Sequence, residues 1–168
     1  MTLAELNAAD ETSFVAALGF IFEESPWVAA RVWPRRPFGD LGALHAAMVG
    51  AVDAAPLDER LALIRAHPDL VGRAALDGTL SPASAGEQAS AGLNRLDPEE
   101  AAMFARLNAA YKARFGFPFV ICVRENKKAA IVAGLQARTA NDREGEIATA
   151  LAEIAKIARL RLADTVRP

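Results

Sequence analysis

The chain has 168 residues, 52% of them apolar and 24% charged, a balance that excludes disorder and suffices for one packed domain over residues 1–168. Its 19 basic and 21 acidic residues give a net charge of -2 without a long run of either sign, which argues against a phosphate-neutralising surface and a nucleic-acid partner. One cysteine excludes an internal disulfide, and one cysteine with two histidines disfavours a soft-ligand zinc site.

No apolar run reaches the roughly 18 residues of a membrane span. Glu5, Asp10 and Glu11 stand where a secretory leader would place basic residues before an apolar block, and the final ADTVRP is not a peroxisomal address. A cytoplasmic protein with no membrane partner is expected.

Apolar residues recur at spacings of three and four while strict alternation is almost absent, so the predicted fold is all-α, with about seven to nine helices. Asn7 is predicted to cap a helix running to Gly19. Ser25-Pro26-Trp27 reads as an N-cap followed by proline at the first helical position, and Arg35-Arg36-Pro37-Phe38 as a connector. Asp40 opens a helix with Leu41, Leu44, Met48 and Val52 on one stripe, and Pro56 opens the next, with Leu57, Leu61 and Ile64 in line. That helix is predicted to end near His67, because Pro68 disfavours the α conformation in the residue before it.

Residues 72–83, GRAALDGTLSPA, read as a loop, and Ser84 to Leu93 as one short helix. Asp97-Pro98-Glu99-Glu100 is a strong start signal for a helix through Tyr111 to Phe115, with Gly116 placed as its C-terminal cap. The run FGFPFVICV then predicts an extended apolar segment near residues 117–123 lying across helices. Asn126 is predicted to cap a helix to about Arg138, and Asn141-Asp142 to start a last one to about Thr165.

Several residues carry two readings. His67 either bonds the free carbonyls at a helix C-terminus or acts as a general acid or base near neutral pH. Ser84-Ala-Gly-Glu87 has the form of a capping box, and the same helix start would leave amides and a positive dipole end beside Glu87 and Gln88 for an anionic ligand. On the last helix, with Ile147 at zero and roughly 100° per residue, Leu151, Ile154 and Ala158 fall near 40°, 340° and 20°, Ile157 near 280° and Arg161 near 320°. A guanidinium inside the apolar arc needs an anion, either a protein carboxylate or a ligand. Arg159, near 120°, lies on the polar flank. Cys122, in the most apolar stretch, reads as a buried thiol rather than a nucleophile. His45 reads as a packed histidine, and Lys127-Lys128 as a solvated face. Glycine-rich phosphate loops, paired carboxylates at a fixed helical spacing and His-Glu-x-x-His sites are absent, so any chemistry is expected to be cofactor-free or to draw on the ligand's own reactivity.

In order along the chain, LGFIFEESPWVA, RPF, LIRAHPDLVGRAA, SAGEQASAGL, FARLNAAYKARFGFPFVICVRENKK and EIAKIARLRL resemble the 2-oxo-4-hydroxy-4-carboxy-5-ureidoimidazoline (OHCU) decarboxylase family of urate degradation, from about Leu18 to Leu162. The resemblance implies an all-helical homodimer without metal or organic cofactor, a carboxy-lyase whose small-molecule substrate OHCU becomes (S)-allantoin and carbon dioxide. By matching positions it implies that His67 is the catalytic acid/base. Pro68, Ser84, Ala85, Gly86, Glu87 and Gln88 would line the substrate pocket together with Phe119, Val120, Ile121, Cys122 and Val123, while Arg161 would contact the ligand. Glu87 is expected to hold the substrate hydroxyl or a ring nitrogen, though Glu87 and Arg161 could exchange roles and either could orient His67. Two rival readings share these residues: a non-catalytic helical module that binds a purine breakdown product or a partner helix, and a cofactor-free lyase or hydrolase for another small ureido acid.

Overall fold

The computed structural model describes residues 1–72, 75 and 77–168. Among them every regular element is helical, and the one β pairing is an isolated parallel bridge between Thr2 and Arg167. Numbered along the described residues, the helices are α1 (Leu3–Ala8), α2 (Glu11–Leu18), α3 (Trp27–Val32), α4 (Leu41–Asp53), α5 (Leu57–Ala66), α6 (Pro82–Ser90), α7 (Pro98–Phe115), α8 (Lys128–Arg138) and α9 (Arg143–Thr165). The fold is all-α, as the periodicity predicts. No helix among the described residues is long and apolar enough to cross a membrane. The chain forms two compact units, Met1–Ala66 with Ala155–Pro168, and His67–Ile154.

In the first unit, local caps replace the predicted one. Thr2 and Glu5 form a capping box on α1, and the Asp10 carboxylate accepts from the Ser13 amide, 2.7 Å away, to start α2. Asn7 caps nothing. Its side chain instead donates to the Phe38 carbonyl and accepts from the Phe38 amide, both at 2.9 Å, tying α1 to the connector. Pro26, not Ser25, takes the cap position of α3, and Ser25 contributes its carbonyl to the Val28 amide. Asp40 caps α4 as predicted, accepting from Ala43 at 2.7 Å, and Leu44, Met48 and Val52 are buried. The buried face of α5 consists of Leu61, Leu63 and Ile64, whereas Leu57, expected in that stripe, is 48% exposed in the first turn. α5 stops at Ala66, one residue short of His67.

The second unit departs from expectation at its first helix. Of the predicted loop 72–83, Arg73, Ala74 and Leu76 lie outside the described residues, while Pro82 and Ala83 already belong to α6. Ser81 is the cap, its hydroxyl accepting from the Ser84 amide at 3.2 Å, with Pro82 at the first helical position. The Ser84-Glu87 box therefore does not form: Ser84 supplies the capped amide and Glu87 sits in the next turn. α6 also ends at Ser90 rather than Leu93, because Gly92 adopts φ 74° and the Leu93 amide folds back onto the Gln88 carbonyl at 3.0 Å.

α7 begins as predicted, with an Asp97-Glu100 capping box around Pro98, and ends at Gly116, φ 76°. The chain then runs extended through 118–122 without strand pairing and closes in a 3₁₀ turn, Val123–Glu125. α8 starts one residue later than predicted. Asn126 does not cap it, because its side-chain amide donates to the Cys122 carbonyl at 2.9 Å. Lys127 is exposed, but Lys128 pairs with Glu100 rather than standing free in solvent. Tyr111 anchors an aromatic cluster, with ring centroids 4.7 Å from Phe115, 6.1 Å from Phe117 and 5.4 Å from Phe119. The turn out of α7 therefore packs onto α7 itself. α9 starts with Asp142 accepting from the Gly145 amide at 2.7 Å.

Gly116 is the pivot that points the chain into the extended segment, and a side chain in its left-handed conformation is strained. Gly116→Ala is expected to lower the free energy of unfolding by about 1 kcal/mol, read as a lower urea midpoint at unchanged slope; an unchanged midpoint would contradict the assignment.

Candidate active site

His67 is the first residue beyond α5 and is 7% exposed. The turn after it is clamped by side chains from two helices. The Gln88 carbonyl on α6 accepts from the Val71 amide at 3.0 Å, and its amide group donates to the Asp69 carbonyl at 3.4 Å. From α7, Asn108 donates to the Leu70 carbonyl at 2.7 Å and Lys112 pairs with the Asp69 carboxylate at 2.9 Å. Val71 has φ 53°, a conformation that a β-branched residue holds only under strain of about 1–3 kcal/mol. The clamp supplies the bonds that keep it there.

On α6, Ser84 and Gln88 are buried one turn apart on the same face, Ala85 and Gly86 are exposed, and Glu87 is half-buried. The helix starts at Pro82, which has no amide hydrogen, and the Ser84 and Ala85 amides are taken by Ser81, so the helix start predicted beside Glu87 and Gln88 lies one turn earlier. α6 packs on the 3₁₀ turn that follows the extended segment. Burial pushes the Cys122 thiol above its ordinary value, and the neighbouring carboxylates of Glu125, Glu153 and Glu87 push it further. Cys122 is thus a neutral buried thiol, as the sequence predicts. α6 thereby bonds the clamped turn after His67 through Gln88 and packs on the 3₁₀ turn that ends the extended segment.

The extended segment is held along one edge. Arg138 donates from Nη1 to the Val120 carbonyl at 2.8 Å, Glu153 accepts from the Cys122 amide at 2.8 Å, and Asn126 donates to the Cys122 carbonyl. In an extended chain alternate residues present their backbone groups to opposite edges. The backbone groups of Phe119 and Ile121 therefore point away from the Val120 and Cys122 bonds, and no hydrogen bond among the described residues uses their amides or carbonyls. Backbone groups left open in this way can take a polar partner.

Behind the segment lies a carboxylate hub. Glu146 is 0% exposed. It accepts from Arg138 Nε at 2.8 Å, from the Asn141 side chain at 2.9 Å and from the Tyr111 hydroxyl, and Arg138 Nη2 lies 2.5 Å away as an ion-pair contact. Burial first, and Glu146 second, hold the Tyr111 hydroxyl well above its ordinary pKa, so it stays a donor. The Arg138 guanidinium also lies 4.4 Å over the Phe119 ring.

His67, Pro68, Ser84 to Gln88 and Phe119 to Val123 all belong to the second unit, and Arg161 belongs to the first. Arg161 does face a core, at 4% exposure, while Arg159 is exposed. Its protein partner is Glu23, 5% exposed and 2.8 Å away, with the Phe20 carbonyl at 3.2 Å. Glu24, next to that partner, has φ 46°. His45 bonds the Ala155 carbonyl at 2.8 Å and packs as predicted.

Sequence reasoning passed over Glu23, Asn108, Arg138, Glu146 and Tyr111. One of these carried the signal that revealed Arg161: Asn108 stands in the stripe Phe104, Asn108, Tyr111, Phe115, all buried. Glu146, near 260° on α9 at roughly 100° per residue, falls outside the arc that runs from Ile157 through Ile154 and Ala158 to Leu151 and carried no such signal. Glu23→Ala takes the carboxylate from a buried guanidinium and is expected to cost about 3–5 kcal/mol of stability. Chemical denaturation of Glu23→Ala, Arg161→Leu and the double variant measures this as a coupling energy; a single-variant loss below about 1 kcal/mol, the range of an exposed pair, would contradict it.

A family model described as OHCU decarboxylase matches residues 7–163. The chain is 42% identical to a 2-oxo-4-hydroxy-4-carboxy-5-ureidoimidazoline decarboxylase of Amia calva over 99% of this chain and 95% of that one. It is 44% identical to the protein of the same name from Haloferax volcanii, over 98% and 95% of the two. A crystal structure of (S)-allantoin synthase superposes with a TM-score of 0.80 at 29% identity, covering 99% of this chain and 54% of that one, so the chain spans about half the length of that synthase. The chain belongs to the OHCU decarboxylase family.

Proposed function

We propose that the protein is a carboxy-lyase that converts OHCU to (S)-allantoin and carbon dioxide in uric acid breakdown, with no cofactor, as a cytoplasmic homodimer in which residues 1–168 act as one functional domain. The observation that carries this reading in a member of the OHCU decarboxylase family is the placement of α6. The helix bonds the turn after the buried His67 and packs beside the segment whose Phe119-Ile121 edge has polar backbone groups to offer.

OHCU supplies its own electron sink. It carries a carboxylate and a hydroxyl on one ring carbon, and the neighbouring ring carbon belongs to a C=N group. When the carbon-carboxylate bond breaks, carbon dioxide leaves, the electron pair moves into that C=N group and its nitrogen takes up one proton, giving an enol-like intermediate. The enol proton then leaves oxygen while a proton arrives at the neighbouring carbon, and delivery to one face fixes the S configuration.

His67 manages that proton transfer, since imidazole is the side chain that both donates and accepts near neutral pH. Glu87 holds the hydroxyl or a ring nitrogen. The amides and carbonyls of Phe119 and Ile121 grip the flat ureido and ring amides, which offer complementary donors and acceptors, while Pro68, Ser84, Gln88 and the rest of 119–123 shape the surroundings. Arg161 is assigned to the negative charge of the ligand on the resemblance of its sequence position; Glu23 is its partner within the protein.

The test generates OHCU in situ from urate with urate oxidase and hydroxyisourate hydrolase and follows circular dichroism. The expected result is a fast one-handed signal that His67→Asn slows by about 10² to 10⁴. Slow racemic allantoin, the same with and without protein, would overturn the decarboxylase, and saturable binding without turnover would favour a binding module. Near-full activity in His67→Asn would remove the histidine from the mechanism.

A further inference from the structure

We propose that Arg138 is a positioning residue for the Phe119-Ile121 edge, and that the buried carboxylate of Glu146 fixes Arg138 in that task; this rests on the ligand-binding reading of the edge given above. Arg138 does three things with one planar group. Nε and Nη2 lie on Glu146 Oε1, Nη1 donates to the Val120 carbonyl 18 residues away, and the guanidinium plane covers the Phe119 ring at 4.4 Å. Each contact constrains the others, because the fork is rigid.

The consequence falls on Phe119 and Ile121. Holding the Val120 carbonyl toward α8 sets the rotation of the extended chain, and alternation then turns the Ile121 amide and carbonyl the opposite way. The stack on Phe119 fixes the preceding residue at the same time. Glu146 is itself immobilised from three sides, by Tyr111 of α7, Arg138 of α8 and Asn141 just before α9. A carboxyl group with no exposure needs such a set of donors. The hub thus links three parts of the unit and transmits their rigidity to one carbonyl.

A purely structural ion pair and a positioning pair make different kinetic predictions. Removing a structural pair reduces the folded fraction, so activity falls in proportion while each folded molecule keeps its KM. Loosening a binding edge weakens ground state and transition state together, which raises KM at unchanged kcat.

The test is steady-state kinetics on OHCU with hydrogen exchange of the 117–125 region, for the wild type, Arg138→Lys and Tyr111→Phe. Arg138→Lys keeps the charge but cannot serve Glu146, Val120 and the ring together. It is expected to raise KM about tenfold with kcat per folded molecule within about twofold, and to speed exchange selectively at 119–123. Tyr111→Phe keeps the ion pair, removes one donor and is expected to raise KM about threefold; it decides the matter if Arg138→Lys does not fold. Unchanged KM in the folded variants, with unchanged exchange at 119–123, overturns the positioning role. A wild type that does not turn over OHCU defeats the decarboxylase reading instead, and selective acceleration of exchange in Arg138→Lys then still supports the positioning of the segment.

Discussion

The buried carboxylate of Glu146 is the constraint on which the second unit depends. A carboxylate without solvent contact is tolerated only when protein donors replace its water, and here a phenol, a guanidinium and a carboxamide do so. Each donor comes from a different place in the chain, so satisfying one charge fixes the end of α7's aromatic cluster, the last residue of α8 and the approach to α9. The guanidinium spends its remaining nitrogen on Val120. In this way a cost of burial is converted into the orientation of an irregular segment that has no sheet or helix to hold it.

The turn after His67 is held by the same strategy on a smaller scale. Gln88 takes the Val71 amide and the Asp69 carbonyl, Asn108 the Leu70 carbonyl and Lys112 the Asp69 carboxylate, and together they maintain a valine in a conformation it would not choose alone. Proline begins the turn by ending α5, and the clamp completes it. A side chain expected to move protons is thereby set on backbone whose position is over-determined, which is what general acid-base chemistry requires of its participants. In the other unit the Arg161-Glu23 pair shows the same rule, a buried charge matched by a partner far away in sequence.

What was legible in the sequence was local. Asp40, Asp97 with Pro98, and Gly116 announced helix ends because the cap residues themselves make the bonds, and Pro68 placed the end of α5 through a steric effect on its own neighbour. Arg161 was legible because a periodic pattern reveals a charge on the wrong face. Where two local signals overlapped, the reading failed: Ser81-Pro82 and Ser84-x-x-Glu87 both look like helix starts three residues apart, and the one with proline at the first helical position is the one that forms. Asn7 and Asn126 have the chemistry of caps but found backbone groups elsewhere, at Phe38 and Cys122. The bonds of Glu146 with Tyr111 and of Arg138 with Val120 span 35 and 18 residues, and no short pattern encodes them. The catalytic and binding assignments were legible only through resemblance, since a histidine before a proline and a capping-box motif have ordinary structural uses.

In the proposed reaction the Phe119-Ile121 edge and the histidine at the end of α5 meet the same ligand, and the most direct test is a titration of isotopically labelled protein with (S)-allantoin, followed by amide and imidazole NMR signals. Concerted shifts of the Phe119 and Ile121 amides and of the His67 ring are expected, while the Cys122 amide, already engaged by Glu153, moves little. Saturating allantoin that leaves Phe119, Ile121 and His67 unmoved, or that shifts the Cys122 amide in their place, would contradict it.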